Sequence, residues 1–449
     1  MGEIVSKFGG SSVAEARQIR KIESIIRSDR RRRFIVVSAP GKRTSGDEKI
    51  TDLLYSCQSL AARGDSYEQP FRHVSDRYLQ IDRELEARSE IQEWLEEVRR
   101  SLGSGASADL AASRGEYLCA RLLASYLQAT FVDAAEVIRF GKDGSVTEES
   151  FQLIAERLAG PGLYVIPGFY GSDSVGQIRT FSRGGSDVTG ALVARAVHAE
   201  VYENWTDVSG LLMADPQIVR DPQPMAEVTY REIRELSYMG AKVLHEEAIL
   251  PVYKEKIPIN IRNTNRPDDA GTIIKAARKL QQRAVAGVAG RNGFALLYLE
   301  KFLLRKDPQT RSKLFEILTA QGIEWEWERA GLDSLAVILP ETQLEDKREL
   351  LVGLIAEALK PDHLEILDNV SLVAIVGEGI SDHPELLADL LLLLSSGGVR
   401  VRLVEQGSSK ISAFFVVPSK DFNRAVDTIY KAITLQRGSR QLLEPLLGK

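Results

Sequence analysis

Two glycine-rich segments of this chain could bind phosphate. Lys7–Ser12 follows a short apolar run, and Arg183–Gly190 opens an apolar helical run. Paired glycines let the backbone come within hydrogen-bond distance of a phosphate, and a helix N-terminus presents free N–H groups and partial positive charge to an anion. Lys7 adds a point charge, and Arg183 adds a guanidinium that can bind an anion through two parallel hydrogen bonds. Together the segments predict a site that handles nucleotide phosphates.

Other nucleotide and metal patterns are missing from the sequence. It contains no Gly-x4-Gly-Lys-Ser/Thr motif and no Gly-x-Gly-x-x-Gly motif between a strand and a helix. No His, Cys, Asp or Glu spacing suggests a protein metal site, and Cys57 and Cys119 cannot form a disulfide framework. These observations support neither a P-loop enzyme nor a Rossmann dehydrogenase, and no metal site built from protein ligands is expected.

The elements that would position the two segments form an alternating pattern. Up to about residue 275, buried-strand runs alternate with helical patterns, which predicts a mainly parallel sheet covered by helices. The charged, helically periodic segment 65–100 predicts a helical subdomain at its rim. The predicted strands are Ile4–Ser6, Phe34–Ser38, Thr130–Asp133, Leu163–Pro167, Val201–Trp205 and Ile257–Arg262.

The pattern changes after a basic connector at Ala276–Arg283. A strand–helix–strand–strand–helix order then occurs twice, which is the ferredoxin-like plan. The second copy has no clear final strand of its own. The predicted elements are Val285–Phe302, Gln309–Gln321, Ile323–Arg329, Leu335–Leu339 and Leu344–Leu359, then Ser371–Gly377, Pro384–Ser395, Val399–Glu405, Ile411–Val417 and Phe422–Ile433.

Composition is typical of a globular protein. The 449 residues suggest about three domains, and the apolar content of 44% is ordinary. A net charge of −5 with one basic cluster, Arg30–Arg33, argues against nucleic-acid binding. No apolar run approaches the ~18 residues of a membrane span. We expect a cytoplasmic protein that binds neither nucleic acid nor membrane.

Several further blocks resemble, in order, the amino acid kinase family and within it the aspartate kinases. These blocks are Ser38–Arg43, Lys49–Leu54, Ser113–Glu116, Asn204–Gly210, Ala214–Pro216 and Gly240–His245. The last third resembles the paired ACT regulatory domains that follow this kinase. The resemblance implies an α/β amino acid kinase fold followed by two ferredoxin-like βαββαβ ACT domains. The implied boundaries are 1–275 for the kinase, 276–290 for a connector, 291–368 for the first ACT domain, possibly completed by 441–449, and 369–440 for the second.

The reaction implied by the resemblance is transfer of the ATP γ-phosphoryl group to the side-chain carboxylate of L-aspartate, giving 4-phospho-L-aspartate. This would be the first step of the pathway to lysine, threonine and methionine. A carboxylate with a pKa of ~4 is already ionised at neutral pH, so no general base is needed. The chemical problem is electrostatic, because an anion must meet a polyanion. Mg²⁺ is expected, held largely by phosphates and water.

Site residues follow by match to the family's motifs. Lys7, Arg183 and Asp187 are the expected catalytic residues. Arg183 would bind the α-carboxylate of aspartate, while Glu116 and Asp187 would bind its α-ammonium. Ser38 and Thr51 are further substrate or phosphate contacts. The expected ATP-binding residues are Lys7, Gly9, Gly10, Ser11, Gly184, Gly185, Ser186, Thr206, Asp207, Leu212, Gln217 and Lys242.

Two positions depart from the family's usual pattern. Leu212 stands where many relatives carry tyrosine, and Gln217 stands where arginine is usual after Asp-Pro. The first change removes an aromatic contact and the second removes a cation near the phosphates. Both changes put the affinity for ATP in doubt.

The ACT pair implies feedback by an amino-acid effector, for which we expect lysine. Asp333 could pair with an ammonium and Ser334 could bond a carboxylate, although Gly, Asp and Ser also form ordinary β-turns. A related site could use Gln406–Ser409 in the second copy. Because such sites form across subunits in relatives, a homodimer or larger homo-oligomer is expected.

Two other functions stay open at this point. Another amino acid kinase would act on glutamate, acetylglutamate or a nucleoside monophosphate. A non-catalytic amino-acid sensor would keep the fold and lose phosphoryl transfer. Gln217 favours the sensor, whereas Lys7, Arg183 and Asp187 speak against it.

Overall fold

The computed structural model describes residues 2–182, 184–241, 246–279 and 284–435. Three predictions therefore lie outside the described residues: those on Arg183, on Lys242 and on the tail 441–449. The chain forms two compact units. The first comprises Met1–Leu211, Pro224–Arg234 and Val243–Arg278, and the second comprises Leu212–Gln223, Glu235–Lys242 and Lys279–Lys449.

The first unit is built on an eight-stranded sheet of order β3-β4-β2-β1-β7-β9-β10-β8. All pairings in it are parallel except β9 with β10, while β5 and β6 form a separate antiparallel hairpin. The strands are β1 Ile4–Phe8, β2 Arg32–Val37, β3 Thr130–Phe131, β4 Tyr164–Pro167, β5 Tyr170–Ser172, β6 Ile178–Thr180, β7 Val201–Thr206, β8 Glu227–Thr229, β9 Ile259–Asn263 and β10 Thr272–Lys275.

Helices cover both faces of this sheet. The helices are α1 Ala16–Ser28, α2 Ile50–Arg63, α3 Glu68–Leu85, α4 Ile91–Gly103, α5 Ala108–Leu127, α6 Ala134–Val137, α7 Glu149–Arg157, α8 Gly185–Ala196, α9 Tyr230–Tyr238 and α10 Glu246–Glu255. Phe8 belongs to one apolar core with α1 to α5, whereas its neighbour Lys7 contacts α8. Since successive strand side chains point to opposite faces, α8 lies on the other face. The predicted α/β class is confirmed.

The parallel strands bring their carboxyl ends to one rim of the sheet. Backbone hydrogen bonds join the loops there: Gly9 donates to Trp205, Ser38 donates to Phe8 and Gly168 donates to Val37, at 3.0, 3.1 and 2.9 Å. The loops after β1, β2 and β4 and the end of β7 are therefore held side by side. Ligands of open α/β sheets bind at this kind of rim.

The second unit contains an antiparallel sheet of order β12-β13-β11-β14-β16-β15. It has the predicted strand–helix–strand–strand–helix order, twice. The strands are β11 Gly287–Glu300, β12 Trp327–Ala330, β13 Ser334–Pro340, β14 His363–Val376, β15 Leu403–Gln406 and β16 Ser412–Pro418, and the helices are α11 Pro308–Ala320, α12 Arg348–Leu359, α13 Glu385–Ser396 and α14 Phe422–Thr434.

The two ferredoxin-like modules share their long strands. In β11, residues 294–300 pair with β13 and with the first half of β14, while residues 287–291 pair with residues 372–376 of β14. The final strand that the second copy lacks in the sequence is thus the start of β11. The predicted connector 276–290 ends inside this strand, and the predicted boundary at 368/369 falls inside β14. Hydrophobic patterning reveals each strand but not that one strand serves two modules.

No helix among the described residues combines the length and the apolar character that crossing a membrane requires.

Candidate active site

Lys7 is the one cation in an otherwise uncharged, fully buried strand. The five residues of β1 are all buried, and the Lys7 side chain is only 10% exposed. Its Nζ lies 2.5 Å from Oδ1 of Asp187, whose side chain is 18% exposed. A buried lysine is retained where its charge is paired, so the pair explains how β1 tolerates it.

Asp187 lies in the first turn of α8, where close backbone approach shapes the loop. Gly184, the residue before the helix, has a φ of +58°, which favours glycine. A Cβ on Gly168 would lie 2.6 Å from Cβ of Ser186, and one on Gly185 would lie 2.7 Å from the Phe169 ring. These contacts press the end of β4 against the helix start. The start of α8 is a fixed set of N–H donors of the kind that binds phosphate.

The first glycine loop is equally tight. Gly41 donates to the carbonyl of Gly10 at 2.9 Å, and a Cβ on Gly10 would lie 3.0 Å from the Ala39 carbonyl. Ser11 follows in a short 3₁₀ turn at Gly10–Val13. The loop after β1 therefore packs directly on the loop after β2, at the same rim as Lys7.

Glu116 is a buried carboxylate in the middle of α5, and it caps no helix end. It is 5% exposed, and burial raises its pKa to about 8, against hydrogen bonding from the Ala39 backbone and attraction by Arg114. Its Oε2 has no hydrogen-bond partner among the described residues. Such an orphaned acceptor is unfavourable, and a ligand cation would satisfy it.

The loop between Ser38 and Thr51 is held by a side chain that the sequence did not reveal. Arg77 on α3, with 5% of its side chain exposed, contacts Asp47 Oδ2 at 2.5 Å and donates to the carbonyl of Gly41 at 3.0 Å. Nothing in the sequence distinguishes Arg77 from the other charged residues of α3, because arginine is common on such a helix. Ser38 directly follows β2, and Thr51 is the second residue of α2.

The nucleotide residues predicted at the end of β7 lie on the same rim. Thr206 ends β7 and Asp207 follows it. Asn263 donates to the Asp207 carbonyl at 3.2 Å and to Ser209 Oγ at 3.0 Å. Leu212 and Gln217 are exposed residues of the second unit, and their role in ATP binding stays a prediction.

The donors at this rim suit a phosphate anion. Among the described residues they comprise Lys7 and the backbone N–H groups of two glycine turns, in which a Cβ on Gly10 or Gly185 would lie 3.0 or 2.7 Å from its nearest neighbour. In the parts of the chain that the structure describes, no group of three or more His, Cys, Asp or Glu could hold a metal ion.

Comparisons with known proteins agree with this architecture. The model of the amino acid kinase family matches residues 2–263, and an ACT domain model matches residues 373–433. Aspartokinase 3 of Bacillus subtilis is 33% identical over 443 residues, covering 95% of this chain and 98% of the relative. The chain belongs to the aspartokinase family.

Solved structures of aspartokinases have the same fold. The aspartate kinase of Clostridium acetobutylicum gives a TM-score of 0.91 at 43% identity, with 96% of this chain and 100% of the other covered. Escherichia coli aspartokinase III in complex with aspartate and ADP gives 0.71 at 26% identity, with 96% and 100% covered. The same enzyme with lysine and aspartate gives 0.72 at 26%, with 96% and 99% covered. This chain is accordingly an enzyme of the aspartate kinase type with ACT domains.

Proposed function

We propose that this enzyme uses ATP to phosphorylate the side-chain carboxylate of L-aspartate, forming 4-phospho-L-aspartate. The observation that carries the proposal is the buried Glu116 carboxylate with an unpartnered oxygen, on the rim that also holds the Lys7–Asp187 pair. The ammonium of an amino acid would satisfy that oxygen. The E. coli relative bound to aspartate and ADP supports the choice of ligands.

The chain's own residues would then act by charge and position. The acceptor carboxylate is ionised at neutral pH, so no side chain has to remove a proton. Lys7 stabilises the charge of the transferring phosphoryl group, and the N–H groups of Gly10 and Ser11 and those at the start of α8 hold the phosphates. When bound, Mg²⁺ would neutralise phosphate charge. Arg183, by resemblance, binds the α-carboxylate.

An acyl-phosphate assay distinguishes this function from its alternatives. The purified enzyme is incubated with ATP, Mg²⁺ and hydroxylamine, with aspartate, glutamate, acetylglutamate or a nucleoside monophosphate as acceptor. We expect a hydroxamate with aspartate and at most a trace with glutamate. Preference for another acceptor would reassign the enzyme to a different amino acid kinase. Aspartate binding without any product would indicate a sensor.

We further propose that the enzyme serves lysine, threonine and methionine synthesis, with feedback by lysine acting on a homodimer or larger assembly. A lysine complex of the E. coli relative supports the effector. The turn predicted to bind it is well formed. Asp333 Oδ1 accepts the Leu303 N–H at 2.9 Å, and the Asp333 carbonyl accepts the Lys301 N–H at 2.9 Å. Ser334 follows at the start of β13.

A further inference from the structure

Asn204 lies beside Lys7 in the centre of the first sheet. β1 and β7 are parallel, and Lys7 and Asn204 are register partners. Asn204 is 4% exposed and donates from Nδ2 to Asp187 Oδ1 at 2.9 Å. Lys7 Nζ approaches the same oxygen at 2.5 Å. One charged donor and one neutral donor therefore share a single carboxylate oxygen.

This arrangement bears on how Lys7 can act. A lysine that stabilises a transferring phosphoryl group has to turn from Asp187 toward the phosphate. The Asp187 carboxylate is only 18% exposed, so loss of its partner is unfavourable and Asp187 would oppose that movement. The Asn204 amide stays on Oδ1 while Lys7 leaves, and it carries no charge with which to bind the phosphate itself.

The rest of Asp187 is fixed independently. The Tyr202 hydroxyl donates to its backbone carbonyl at 3.0 Å, and its N–H donates to Gly184 at 2.8 Å. Asp187 therefore keeps its place when Lys7 moves. The carboxylate needs only one stationary donor, and Asn204 supplies it.

We propose that Asn204 is a positioning residue for phosphoryl transfer, which holds the Asp187 carboxylate so that Lys7 can exchange it for the phosphoryl group. The inference rests on the proposed function, which gives Lys7 its task. Asn204 is also what sequence reasoning missed at this site. In the sequence, Asn204 stands out only as an amide side chain within a buried strand. It entered the family resemblance only as the first residue of the block Asn204–Gly210.

Asn204→Asp tests the proposal by making the donor depend on pH. When protonated, the new carboxyl group can donate to Asp187 as the amide does. When ionised, it repels Asp187 and retains Lys7. Burial and the neighbouring carboxylate both raise its pKa. Among the described residues, the titratable groups that contact Asp187 are Lys7 and Tyr202.

The kcat of N204D is divided by the wild-type kcat at each pH from 6 to 8.5. This ratio cancels the effects of other groups that titrate in both enzymes. We expect a ratio within about threefold of unity at pH 6 and a fall of at least about tenfold by pH 8.5. Asn204→Leu, which has no donor, should lower kcat about tenfold at every pH, with the KM for ATP within about threefold. A flat N204D ratio, or an N204L kcat within twofold of the wild type, overturns the proposal.

The matched control is Asn260→Asp on β9. Asn260 pairs in register with Glu203, the neighbour of Asn204 on β7, and therefore faces away from Asp187. The kcat of N260D relative to the wild type should not change with pH. Thermal unfolding identifies a variant that fails to fold.

Should the wild type phosphorylate no acceptor, the proposed function fails, and stabilisation by ATP and Mg²⁺ still tests Asn204. N204D should then lose that stabilisation relative to the wild type at pH 8.5 but not at pH 6, and equal stabilisation at both values overturns the proposal.

Discussion

At the scale of single residues, the Lys7–Asp187 pair makes the most direct prediction. Lys7→Met keeps most of the side-chain length and removes the charge. We expect kcat to fall by at least about 10²-fold, the usual effect of losing a group that stabilises transition-state charge, with little change in the KM for aspartate. Steady-state kinetics on the purified variant measures both.

The control for Lys7→Met is Lys142→Met, which changes an exposed lysine in the loop before α7. It should retain wild-type kinetics. If Lys7→Met keeps a near-normal kcat, Lys7 has only a structural role in β1.

Glu116 predicts a pH dependence of substrate binding. Its pKa of about 8 in the folded protein, against an ordinary 4.5, means that the neutral form prevails at pH 7. The ammonium of aspartate requires the ionised form, so binding should release a proton. The KM for aspartate should therefore fall as pH rises from 6 toward 8 and level off above it.

Glu116→Gln should remove that dependence and give a high, pH-independent KM. Calorimetry of aspartate binding in two buffers with different ionisation enthalpies would count the released proton. The same raised pKa means that ionising Glu116 opposes folding. The contribution of protonated Glu116 to the free energy of unfolding is fully present below about pH 4.5 and is lost as pH rises through about 8. A wild-type KM that is constant over this range would contradict the assignment.

The sequence singled out Lys7 and Asp187, which the structure brings together, because each residue type is unusual for its position. Lys7 interrupts an apolar strand, and Asp187 follows two glycines at a helix start. Asn204 and Arg77 went unrecognised, because their roles arise from partners far away in the chain. Arg77 contacts a loop 30 residues away, and Asn204 contacts Asp187 on a different element. Neither partnership leaves a periodic or spaced pattern in the sequence.

At the scale of elements, α3 clamps the loop between β2 and α2. The pKa of Asp47 is well below its usual range, mainly through its hydrogen bonds with Arg43 and with further attraction by Arg77. Arg77→Met should release this loop and loosen the Gly41–Gly10 contact. We expect the KM for ATP to rise about three- to tenfold, with a smaller effect on kcat.

Limited trypsin digestion measures how firmly α3 restrains this loop, because trypsin cleaves after Lys42 and Arg43, which lie in the loop. Cleavage there should be faster in Arg77→Met than in Arg72→Met, which changes an exposed arginine on the same helix. Equal cleavage rates in the two variants would show that α3 does not restrain the loop.

Element type was more predictable than element extent. The alternating pattern gave the central strands of the kinase sheet within about two residues. The short strands β8 and β10 and the β5–β6 hairpin were missed. β14 begins at His363, several residues before the predicted start at Ser371, because its polar first half pairs only with β11. Pairing decided by a distant strand is not visible in local hydrophobicity.

At the scale of the whole molecule, feedback through the ACT pair is the prediction to test. Asp333→Ala should relieve inhibition by millimolar lysine and leave kcat without lysine unchanged. Asp333 also accepts a hydrogen bond from Leu303, so the substitution weakens the 301–304 turn. Asp362→Ala controls for this effect, because Asp362 accepts the neighbouring Phe302 N–H at 2.6 Å without being a predicted effector contact.

Steady-state rates with and without lysine measure both variants. Relief of inhibition in the Asp333 variant alone would support the effector role. Equal relief in both would assign the effect to the turn. A wild-type enzyme that keeps full activity in lysine, threonine and methionine, alone and combined, would exclude this regulation.

The strands shared by the two ACT modules also bear on synthesis of the chain. Residues 287–291 leave the ribosome early, yet their partners at 372–376 follow roughly 85 residues later, on the order of 4 to 17 s at ~5–20 residues per second. Throughout that interval the start of β11 is an unpaired strand edge, open to association with other nascent chains. The second module is completed only by a strand that precedes the whole of the first, so it folds after the first module has been synthesised. Expression of the second module without residues 287–291 should therefore yield aggregates.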